Sequence, residues 1–575
     1  LHNHIITDPR SSITAVECYN YQVQITQRFQ TTSKDTQESI FDSILSSRNI
    51  SPQERDNFLS PPTPTLSNLI EVFSLDSGVL EGAKSLIDKH IDSGTDILIY
   101  GDYDADGITA TAILYKTLVH LSKDSTSRIL PFVPDRTRHG YGISTQSIED
   151  IESGQAFANS KYTDFSPSLI ITVDTGIVAT KEVKAIKDLG IDIIITDHHQ
   201  PEEGLPPADH IIHSLRSSGS AIAWIFALFL TDSEPSIYQL LDLATIGIVA
   251  DQIKLTDINR TLVTHGLTKL RETSNPGVKK LMELASRELS ALSAYDINYV
   301  LAPRINATGR LTNATTALRL LCSRDPDSIS ALATEINEIN QERRELTQLG
   351  IDKALEIKPE HKIIIVSSPD YHEGVVGLIA GRLAEKWHRP ALAISIRDDI
   401  AKGSARSIGE INITDLLREF QDDFLGIGGH KLAAGFSLKP GNLDDLVGKL
   451  YKYADQHIPD SALVPIFQVE TELTLEQTSL NFAHLLARLA PFGRGNSQPR
   501  FTSSDLIVIE DKKLGAEGLH RRLTLMQDGL KREAIWFNCQ EDYPIKNIQE
   551  LIYTLNINSW RGRESLQLVV KHATI

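Results

Sequence analysis

Three carboxylates at alternate positions, Asp102, Asp104 and Asp106, directly follow the apolar run Ile97–Tyr100. Like charges packed so closely repel one another, and a divalent cation that prefers oxygen ligands relieves this repulsion. A single Asp at such a place would be explained by a turn or a helix N-cap, because Asp is common in both. Three of them exceed what a turn requires and favour a metal site.

Three further apolar runs end in potential ligands. Leu169–Val173 is followed by Asp174, Ile193–Thr196 by Asp197-His198-His199, and Ile246–Ala250 by Asp251. We interpret all four runs as strands of one parallel sheet, whose carboxyl ends meet at one edge. A lone Asp after a strand is usually a cap, and a lone His is more often structural than a ligand. Four such coincidences favour one shared site.

These potential ligands are too numerous for one metal ion with open positions. They suit two divalent cations, about 3.5–4 Å apart, that share a bridging carboxylate. Because carboxylates dominate and thiolates are absent, Mn²⁺ or Mg²⁺ is expected rather than Zn²⁺, and the imidazole favours Mn²⁺. Two such ions generate a hydroxide and stabilise the leaving oxygen of a phosphate ester. The residues therefore predict metal-assisted phosphoester hydrolysis.

The elements that position these side chains alternate between strand-like and helical runs from about residue 66 to 265, which predicts a parallel sheet covered by helices. Residues 327–357 lack Pro and predict one long connecting helix. A second α/β unit is expected to begin with the strand Lys362–Val366. The tail predicts a small β-barrel with strands at Leu506–Glu510, Leu519–Met526, Ala534–Asn538 and Leu566–Lys571.

Changes in composition divide the chain into five segments. They are an irregular, polar N-terminal extension and linker (1–60), a catalytic domain (61–265), a helical connector (266–358), a smaller α/β domain (359–458) and the barrel (459–575). The predicted fold class is therefore α/β with a β-barrel at the C-terminal end.

The chain has 575 residues, of which 41% are hydrophobic and 23% charged, as in soluble globular proteins of several domains. Its net charge of −18 argues against coating nucleic acid by bulk electrostatics, so local basic clusters matter. Cys18, Cys322 and Cys539 have no paired spacing, and Leu1–Ser12 show no signal-peptide pattern, which predicts a cytoplasmic protein. The apolar stretch Ala221–Leu230 is too short to span a bilayer and predicts a buried helix.

Together, these motifs resemble those of the DHH phosphoesterase superfamily, and Gly428–Gly435 resembles the signature of its DHHA1 domain. The resemblance spans about 60 to 575 and is strongest to the RecJ family of single-strand-specific 5′→3′ DNA exonucleases. It implies a parallel-sheet DHH domain, joined by a long helix to a smaller α/β DHHA1 domain and followed by an OB-fold barrel.

The resemblance also implies a role for each potential ligand. Asp104 and Asp174 would hold one ion with Asp102 nearby, whereas Asp106, Asp174, His198 and Asp251 would hold the other. Asp174 is the expected bridge. His199 is expected to face the scissile phosphate, and Asp197 to orient an imidazole.

Other residues are expected to hold the DNA strand: Arg136, Tyr141, Arg304, Arg310, Ser404, Arg406 and His430, with His372 as a weaker candidate. By the resemblance, Arg136 would pair with a phosphate and Tyr141 would stack on a base, and a surface loop without contact to DNA is the alternative. Arg304 and Arg310 are interpreted as part of a polar turn before a helix, where capping of carbonyls and surface ion pairs are the alternatives. The resemblance instead implies phosphate binding. By the resemblance, Ser404 and Arg406 would hold the 5′ end of the strand.

In the tail, cations are interleaved with aromatic residues, as in single-strand-binding barrels, although barrel aromatics are usually core. The cations are Arg494, Arg500, Arg521, Arg522, Arg561 and Arg563, and the aromatics are Phe492, Phe501, Trp536, Phe537 and Trp560.

The function expected from the resemblance is release of 5′-mononucleotides from single-stranded DNA in recombination and repair, by a monomer without membrane attachment. A single-stranded-DNA-binding protein and a RecQ-type helicase are the implied partners. Two alternatives stay open: another DHH phosphoesterase acting on short oligonucleotides or cyclic dinucleotides, and a non-catalytic replication-associated DNA-binding protein.

Overall fold

A computed structural model describes residues 23–158, 161–202, 204–515, 518–539 and 543–575. The chain divides into two compact units. The first, which we call the DHH unit, comprises residues 60–343 and 491–497. The second, the C-terminal unit, comprises the described part of 1–59 together with 344–490 and 498–575. Cys18 and the rest of segment 1–22 lie outside the described residues.

The described part of the predicted extension is folded, so the prediction of an irregular segment is wrong there. It contains β1 (Gln24–Gln27), α1 (Gln37–Ser47) and α2 (Arg55–Leu59). Strand β1 pairs in parallel with Ile466–Val469, and α1 buries Ile40, Phe41, Ile44 and Leu45. These four residues have helical spacing, but the polar residues around them hide the pattern in the sequence.

The DHH unit is built on a five-stranded parallel sheet with helices packed against it. Its elements are α3 (Leu66–Phe73), α4 (Ser77–Asp92), β2 (Asp96–Gly101), α5 (Ala105–Leu121), β3 (Ile129–Phe132), α6 (Thr145–Glu152), β4 (Pro167–Val173), α7 (Thr180–Asp188), β5 (Asp192–Asp197), β6 (His210–His213), α8 (Gly219–Leu230), α9 (Pro235–Tyr238), α10 (Leu241–Ala250), α11 (Asp257–Arg271), α12 (Pro276–Leu284), α13 (Ala294–Asp296), α14 (Ala302–Leu311), α15 (Thr315–Cys322) and α16 (Pro326–Leu355). The strand order is β3-β2-β4-β5-β6, with every pair parallel. The predicted sheet is thus confirmed, and its central strand β4 is buried along nearly its whole length.

Two local predictions in this unit are wrong. Ile246–Ala250 is not a strand but the last part of α10, which is buried on nearly all sides. A short β-branched run cannot be told from a fully buried helix by periodicity alone. Arg304 and Arg310 lie within α14 rather than in a turn, because Gly309 is accommodated inside that helix. The buried helix α8 and the long helix α16 agree with the sequence predictions.

After the described part of 1–59, the C-terminal unit continues with the last part of α16 and a mixed five-stranded sheet. Its elements are β7 (Ile364–Ser368), α17 (Val376–Trp387), β8 (Ala391–Ile396), β9 (Ala401–Arg406), α18 (Ile413–Arg418), β10 (Gly426–His430), β11 (Ala433–Leu438) and α19 (Leu443–His457). The order is β10-β11-β9-β8-β7, in which β7 and β8 are parallel and the other pairs antiparallel. This is the second α/β region that the sequence predicts.

The unit ends in a closed barrel. The remaining elements are β12 (Ile466–Val469), β13 (Thr471–Glu472), α20 (Leu480–Ala487), β14 (Phe501–Leu514), β15 (His520–Gln527), β16 (Leu530–Trp536), β17 (Asn547–Trp560) and β18 (Arg563–Thr574). Strands β14, β15, β16, β18 and β17 pair in that order, and pairing of β14 with β17 closes the ring. The predicted barrel is confirmed, although the sequence analysis missed β17. Among the described residues, no helix combines the length and apolarity needed to cross a membrane.

Candidate functional site

The potential metal ligands meet at the carboxyl edge of the DHH sheet. Asp102 follows β2, Asp174 follows β4, and His198 and His199 follow β5. Asp251 reaches the same place from the C-terminal end of helix α10. The sheet edge thus gathers ligands from three strands and one helix, as parallel α/β sheets commonly do.

Three overlapping groups of side chains have ligand atoms within 4.8 Å of one another. The groups are Asp102, Asp104 and Asp174; Asp174, His198 and His199; and Asp106, His198 and Asp251. The Nε2 atom of His198 lies 3.0 Å from Asp174 Oδ1, 3.7 Å from Asp251 Oδ2 and 3.9 Å from Asp106 Oδ2. Asp174 and His198 each belong to two groups and therefore link the whole set.

Backbone N–H groups hold two of these carboxylates in place. Asp104 caps α5, where its Oδ1 accepts hydrogen bonds from the N–H groups of Asp106 and Gly107 at 2.9 and 3.0 Å. Asp106 accepts from the N–H groups of Gly219 and Ser220, at 2.7 and 3.1 Å, in the first turn of α8. A helix N-terminus stabilises a carboxylate by its dipole and its unpaired N–H groups.

The backbone around Asp174 is unusual in two ways. Asp174 has a φ of +60°, in the left-handed region that non-glycine residues seldom adopt. A Cβ on Gly219 would lie 2.5 Å from the Cβ of Asp174, so only glycine fits at the start of α8. Such local strain is found chiefly where a side chain must be aimed at a functional site.

Burial and mutual repulsion disfavour the charged forms of these carboxyl groups. Burial, followed by the charge of Asp104, raises the pKa of Asp102 to about 8. Burial, followed by the charges of Asp106 and Asp104, raises the pKa of Asp251 to about 8, and Arg494 opposes this rise. The pKa of Asp174 is raised well above its ordinary value for the same reasons. The cluster requires a compensating positive charge if all its members are to ionise.

The donor set fits divalent cations. Asp102 Oδ1 is buried and accepts no hydrogen bond from any residue that the structure describes, and buried Asp174 Oδ1 has the His198 Nε2 atom 3.0 Å away without an aligned hydrogen bond. A buried carboxylate oxygen without a partner is costly, and coordination to a hard cation removes that cost. Carboxylates with one or two imidazoles are ligands of the kind that Mn²⁺ and Mg²⁺ accept.

A hydrogen-bonded chain connects Asp197, His199 and Tyr141. Asp197 Oδ1 lies 2.8 Å from His199 Nδ1, and the Tyr141 hydroxyl lies 2.9 Å from His199 Nε2. Burial lowers the pKa of His199, but the hydrogen bond and charge of Asp197 outweigh this and raise it to about 9. Asp197 therefore orients an imidazole, as the sequence analysis expects, and the imidazole is that of His199.

Tyr141 belongs to an aromatic and cationic surface next to the acidic cluster. The ring of Tyr103 lies 6.4 Å from that of Tyr141 in an edge-on arrangement, and the Arg136 guanidinium lies 5.7 Å from the Tyr103 centroid. Arg310 is close enough to act electrostatically on Tyr103. The structure thus brings together Arg136, Tyr141 and Arg310, and adds Tyr103, which sequence reasoning overlooked because it lies between two aspartates.

Helix α14 supports the aspartate-rich turn. Asn306 Oδ1 accepts a hydrogen bond from the Ala105 N–H at 2.7 Å, and a Cβ on Gly309 would lie only 2.6 Å from the Tyr103 carbonyl oxygen. Arg304 donates to Val300 O at 2.9 Å and to Asn337 Oδ1 at 3.2 Å, so it braces α14. Capping of a carbonyl was one of the alternatives that the sequence analysis left open for Arg304.

In the C-terminal unit, Ser404 and Arg406 lie on one face of β9 at the start of α17. Arg406 Nη1 donates to Ser404 Oγ at 2.8 Å, and a Cβ on Gly377 in the first turn of α17 would lie 2.9 Å from Arg406 Nη2. Beside them, Ser404 pairs with Gly435, which pairs with Gly428 across the sheet. A Cβ at either glycine would meet no atom within 4 Å, so these glycines form an open surface rather than a tight turn.

His430 lies at the end of β10 in the same sheet. It pairs with Ala433, which in turn pairs with Arg406, so His430 and Arg406 lie in one cross-strand row. His372 Nδ1 instead accepts a hydrogen bond from the Gly374 N–H at 3.0 Å, just before α17.

Three sequence profiles match the chain, in the order of its structural regions. They are the DHH family, N-terminal domain (residues 96–248), the DHHA1 domain (360–456) and the RecJ OB domain (469–572). The single-stranded-DNA-specific exonuclease RecJ of Salmonella typhimurium is 31% identical, with 85% of this chain and 89% of that protein aligned. The chain belongs to the RecJ family.

Other RecJ proteins agree with this placement. RecJ of Bacillus subtilis is 34% identical over 86% of this chain, and the chain spans 63% of the length of that relative. The crystal structure of Thermus thermophilus RecJ in complex with Mn²⁺ matches with a TM-score of 0.78 at 27% identity. That match covers 96% of this chain and 79% of the other.

The cations and aromatics predicted to bind a strand on the barrel fall into core, ion-paired and exposed side chains. Phe501 and Trp536 are core residues, and buried Arg521 is paired with Asp511. Arg522 is paired with Glu533. Trp560 is 49% exposed at the tip of the β17–β18 hairpin, where the Arg561 guanidinium lies 5.5 Å from its ring. A strand-binding surface on the barrel stays a prediction, for which Trp560 and Arg561 at this hairpin tip are exposed candidates.

Arg494 does not lie on the barrel, which corrects the sequence interpretation. It belongs to segment 491–497 of the DHH unit, and its Nη1 donates to Gln252 O, next to Asp251. This position depends on a contact between residues about 240 positions apart, which no local pattern reveals.

Proposed function

We propose that this chain is a metal-dependent exonuclease that removes 5′-mononucleotides from single-stranded DNA in the 5′→3′ direction. The observation that carries the proposal is the convergence of Asp102, Asp104, Asp106, Asp174, His198 and Asp251 at one sheet edge. It is supported by membership of a family whose named members are single-stranded-DNA-specific exonucleases. The two alternative functions are not favoured, because the relatives are exonucleases and no ligand position has been lost.

The metal-binding roles follow the three overlapping groups. Asp104 and Asp174 would hold one cation with Asp102 beside them, whereas Asp106, Asp174, His198 and Asp251 would hold the other. Asp174 would be the bridge, because its carboxylate has two oxygens to share between cations, whereas His198, which also belongs to two groups, offers one imidazole nitrogen. Mn²⁺ or Mg²⁺ bound here supplies an activated water and neutralises charge on the phosphate.

The chain's own residues orient the substrate and hold a proton. Asp197 fixes His199 through Nδ1, so that Nε2 faces the place where Tyr141 now contacts it. A protonated His199 donates from Nε2 to an oxygen of the scissile phosphate. Proximity and orientation of this kind account for much of the barrier reduction in phosphoryl transfer.

The DNA strand is held beside this centre by Tyr103, Arg136, Tyr141 and Arg310. Arg136 and Arg310 pair with backbone phosphates, and the two tyrosines offer faces for the bases. Arg304 contributes indirectly by keeping α14 in place.

The 5′ end of the strand is bound in the C-terminal unit by Ser404 and Arg406, with His430 along the same row. Arginine suits a terminal phosphate because its planar fork binds two oxygens at once. The open glycine surface at Gly428 and Gly435 lets the sugar-phosphate backbone approach the sheet closely.

The remaining proposals concern domain boundaries, cellular location, oligomeric state and partner proteins. We propose 61–265 as the DHH domain, 266–358 as its connector, 359–458 as DHHA1 and 459–575, apart from segment 491–497, as the OB fold. The folded part of segment 1–60 belongs to the C-terminal unit. The enzyme acts as a cytoplasmic monomer in recombination and repair. A single-stranded-DNA-binding protein and a RecQ-type helicase are its proposed partners.

A pair of end-labelled substrates tests this function. In Mn²⁺, a single strand labelled at its 5′ end is expected to release labelled mononucleotide from the start of the reaction. The same strand labelled at its 3′ end is expected to release labelled mononucleotide only when digestion is nearly complete. A blunt duplex of the same sequence, a dinucleotide and a cyclic dinucleotide should be degraded far more slowly. Absence of mononucleotide release from the single strand, or faster cleavage of the short substrates, would overturn the proposal.

A further inference from the structure

The turn that carries Arg494 is rigidly built. The backbone N–H groups of Gly493 and Asn496 donate to each other's carbonyl oxygens at 3.0 and 3.2 Å, which closes a four-residue turn. Arg494 occupies its first corner, and Gly495 occupies the second with the φ of +79° that a type II turn needs there. Asn496 is buried, and its Nδ2 donates to Pro491 O at 2.8 Å.

This turn is attached to the residues that follow Asp251, a proposed metal ligand. The Leu255 N–H donates to Arg494 O at 2.7 Å, and Arg494 Nη1 donates to Gln252 O at 3.3 Å. A Cβ on Gly495 would lie 3.2 Å from the Cβ of Lys254, so the two chain segments pack against each other. The Arg494 side chain is thereby held beside the acidic cluster.

The Arg494 guanidinium retains donors for a ligand. Arg494 is exposed, and its contact with Gln252 O uses one of the five N–H donors of a guanidinium. Lys254, also exposed, adds a second positive charge at the same place. A protein with a net charge of −18 needs such local cations where a polyanion approaches a cluster of carboxylates.

We propose that Arg494 binds a phosphate of the DNA strand next to the scissile one. The inference rests on the proposed function, because it requires a strand to cross the metal centre at Asp251. The guanidinium fork suits two non-bridging oxygens of one phosphodiester. Arg494 thus serves the catalytic unit from a segment that lies, in the sequence, between the barrel helix α20 and strand β14.

Replacement of single phosphates by neutral methylphosphonates tests this contact. A short strand carrying one methylphosphonate, moved stepwise from the 5′ end, is compared on the full chain, Arg494→Ala and Arg494→Lys. Arg319→Ala is the matched control, because Arg319 is exposed on α15 of the same unit and outside the proposed machinery. Equilibrium binding and kcat/KM are both measured.

We expect one position at which the neutral linkage weakens strand binding by the full chain about tenfold but leaves binding by Arg494→Ala unchanged. A loss of about tenfold is the size expected when a hydrogen bond to a charged group is removed. Arg494→Ala should reduce the slope of log Kd against log salt by about 0.7, the loss of one phosphate contact on a single strand. Arg494→Lys should restore the salt slope but only part of the kcat/KM, since an ammonium cannot bind two oxygens as a fork.

The Arg494 contact would be overturned if the neutral linkage reduced binding affinity equally for the full chain and for Arg494→Ala at every position. The slope of log Kd against log salt would then also be the same for both proteins. A reduced Mn²⁺ affinity with an unchanged salt slope would also overturn it, because Arg494 would then act on Asp251 alone. The two claims stay separable. Absence of mononucleotide release overturns the proposed exonuclease, whereas the binding series decides on Arg494 without catalysis.

Discussion

The acidic edge of the DHH sheet and the glycine-rich face of the second sheet differ in how they hold charge. At the first, several carboxylates are buried, two of their oxygens accept no hydrogen bond from described residues, and the pKa values of Asp102 and Asp251 are raised to about 8. At the second, Ser404 and Arg406 are half-buried, already bonded to each other, and flanked by open glycines. In the first region a cation would relieve electrostatic strain, whereas the second has the donors that the proposed 5′-phosphate site requires.

Catalysis and substrate binding therefore have separate physical requirements in the proposed enzyme. Burial strengthens charge interactions and excludes competing water, which suits the reacting centre. A site that binds each successive 5′ end must also release it, which suits a half-exposed cation with an open approach.

The largest expected effect is at Asp174. Asp174→Asn keeps the shape but removes a ligand charge shared by two groups, so activity should fall by more than the ~100-fold typical for loss of a residue that only orients a ligand. The metal-free protein should instead gain a few degrees in melting temperature, because one buried like charge disappears. Mononucleotide release and thermal unfolding in chelator measure both.

Asp188→Asn is the control for Asp174→Asn, because Asp188 is exposed at the end of α7 in the same unit. It should change neither quantity. Activity retained in Asp174→Asn would erase the proposed distinction between the two regions.

The next effect is expected at Arg406 and should fall on substrate binding. Arg406→Ala should raise the KM for a 5′-phosphorylated strand by about 10- to 100-fold with little change in kcat, because a charge-assisted contact made equally in the ground and transition states is lost. A strand with a 5′ hydroxyl should be much less sensitive. Arg418→Ala, an exposed arginine on α18, is the control. A fall in kcat at unchanged KM would show that the second region takes part in chemistry.

A third effect concerns pH and metal removal. The pKa values of Asp102 and Asp251 lie near 8 in the folded, metal-free protein and near 4 when unfolded, so the folded state binds more protons. Stability of the chelated protein should therefore fall as pH rises from about 4 through 8. Mn²⁺ should remove most of this fall, because bound ligands are already deprotonated.

Melting temperatures with chelator and with Mn²⁺ between pH 6 and 8.5 measure this difference. Asp174→Asn should flatten the chelated curve. If melting temperature changed with pH in the same way with chelator and with Mn²⁺, the buried carboxylates of the acidic edge would not repel one another as we infer.

The smallest effect is expected at Tyr141. Tyr141→Phe removes the hydroxyl that lies 2.9 Å from His199 Nε2 but keeps the ring, so kcat should change only a few-fold, as expected for one exposed hydrogen bond. Tyr141→Ala should also weaken strand binding, because stacking is lost. Tyr115→Phe, on helix α5 and outside the proposed site, is the control. If Tyr141→Phe and Tyr141→Ala changed kcat and strand binding equally, the Tyr141 hydroxyl alone would be responsible and the ring would not stack on a base.

Much of the acidic edge could be predicted from the sequence because local signals coincide there. Asp102, Asp174 and His198 each follow a short β-branched run, and parallel strands bring such positions to one edge. Asp251 was predicted at the right place for a wrong reason, since its apolar run is a buried helix rather than a strand.

The rest depends on contacts that no local pattern encodes. Asn306 bonds to Ala105 across about 200 residues, and Arg494 reaches Gln252 across about 240. The folded state of segment 24–59 likewise depends on pairing with Ile466–Val469. Glycines gave a partial signal, because Gly309 and Gly495 mark close approaches, but their partners become visible only in three dimensions.

In the proposed enzyme, one sheet edge holds two cations bridged by Asp174. A crystal structure of the full chain grown with Mn²⁺, with anomalous diffraction data, tests it most directly. We predict two anomalous peaks about 3.5–4 Å apart, with Asp174 between them, Asp104 on one and Asp106, His198 and Asp251 on the other. A single peak, or two peaks that do not share Asp174 as a ligand, would contradict the proposed two-cation site.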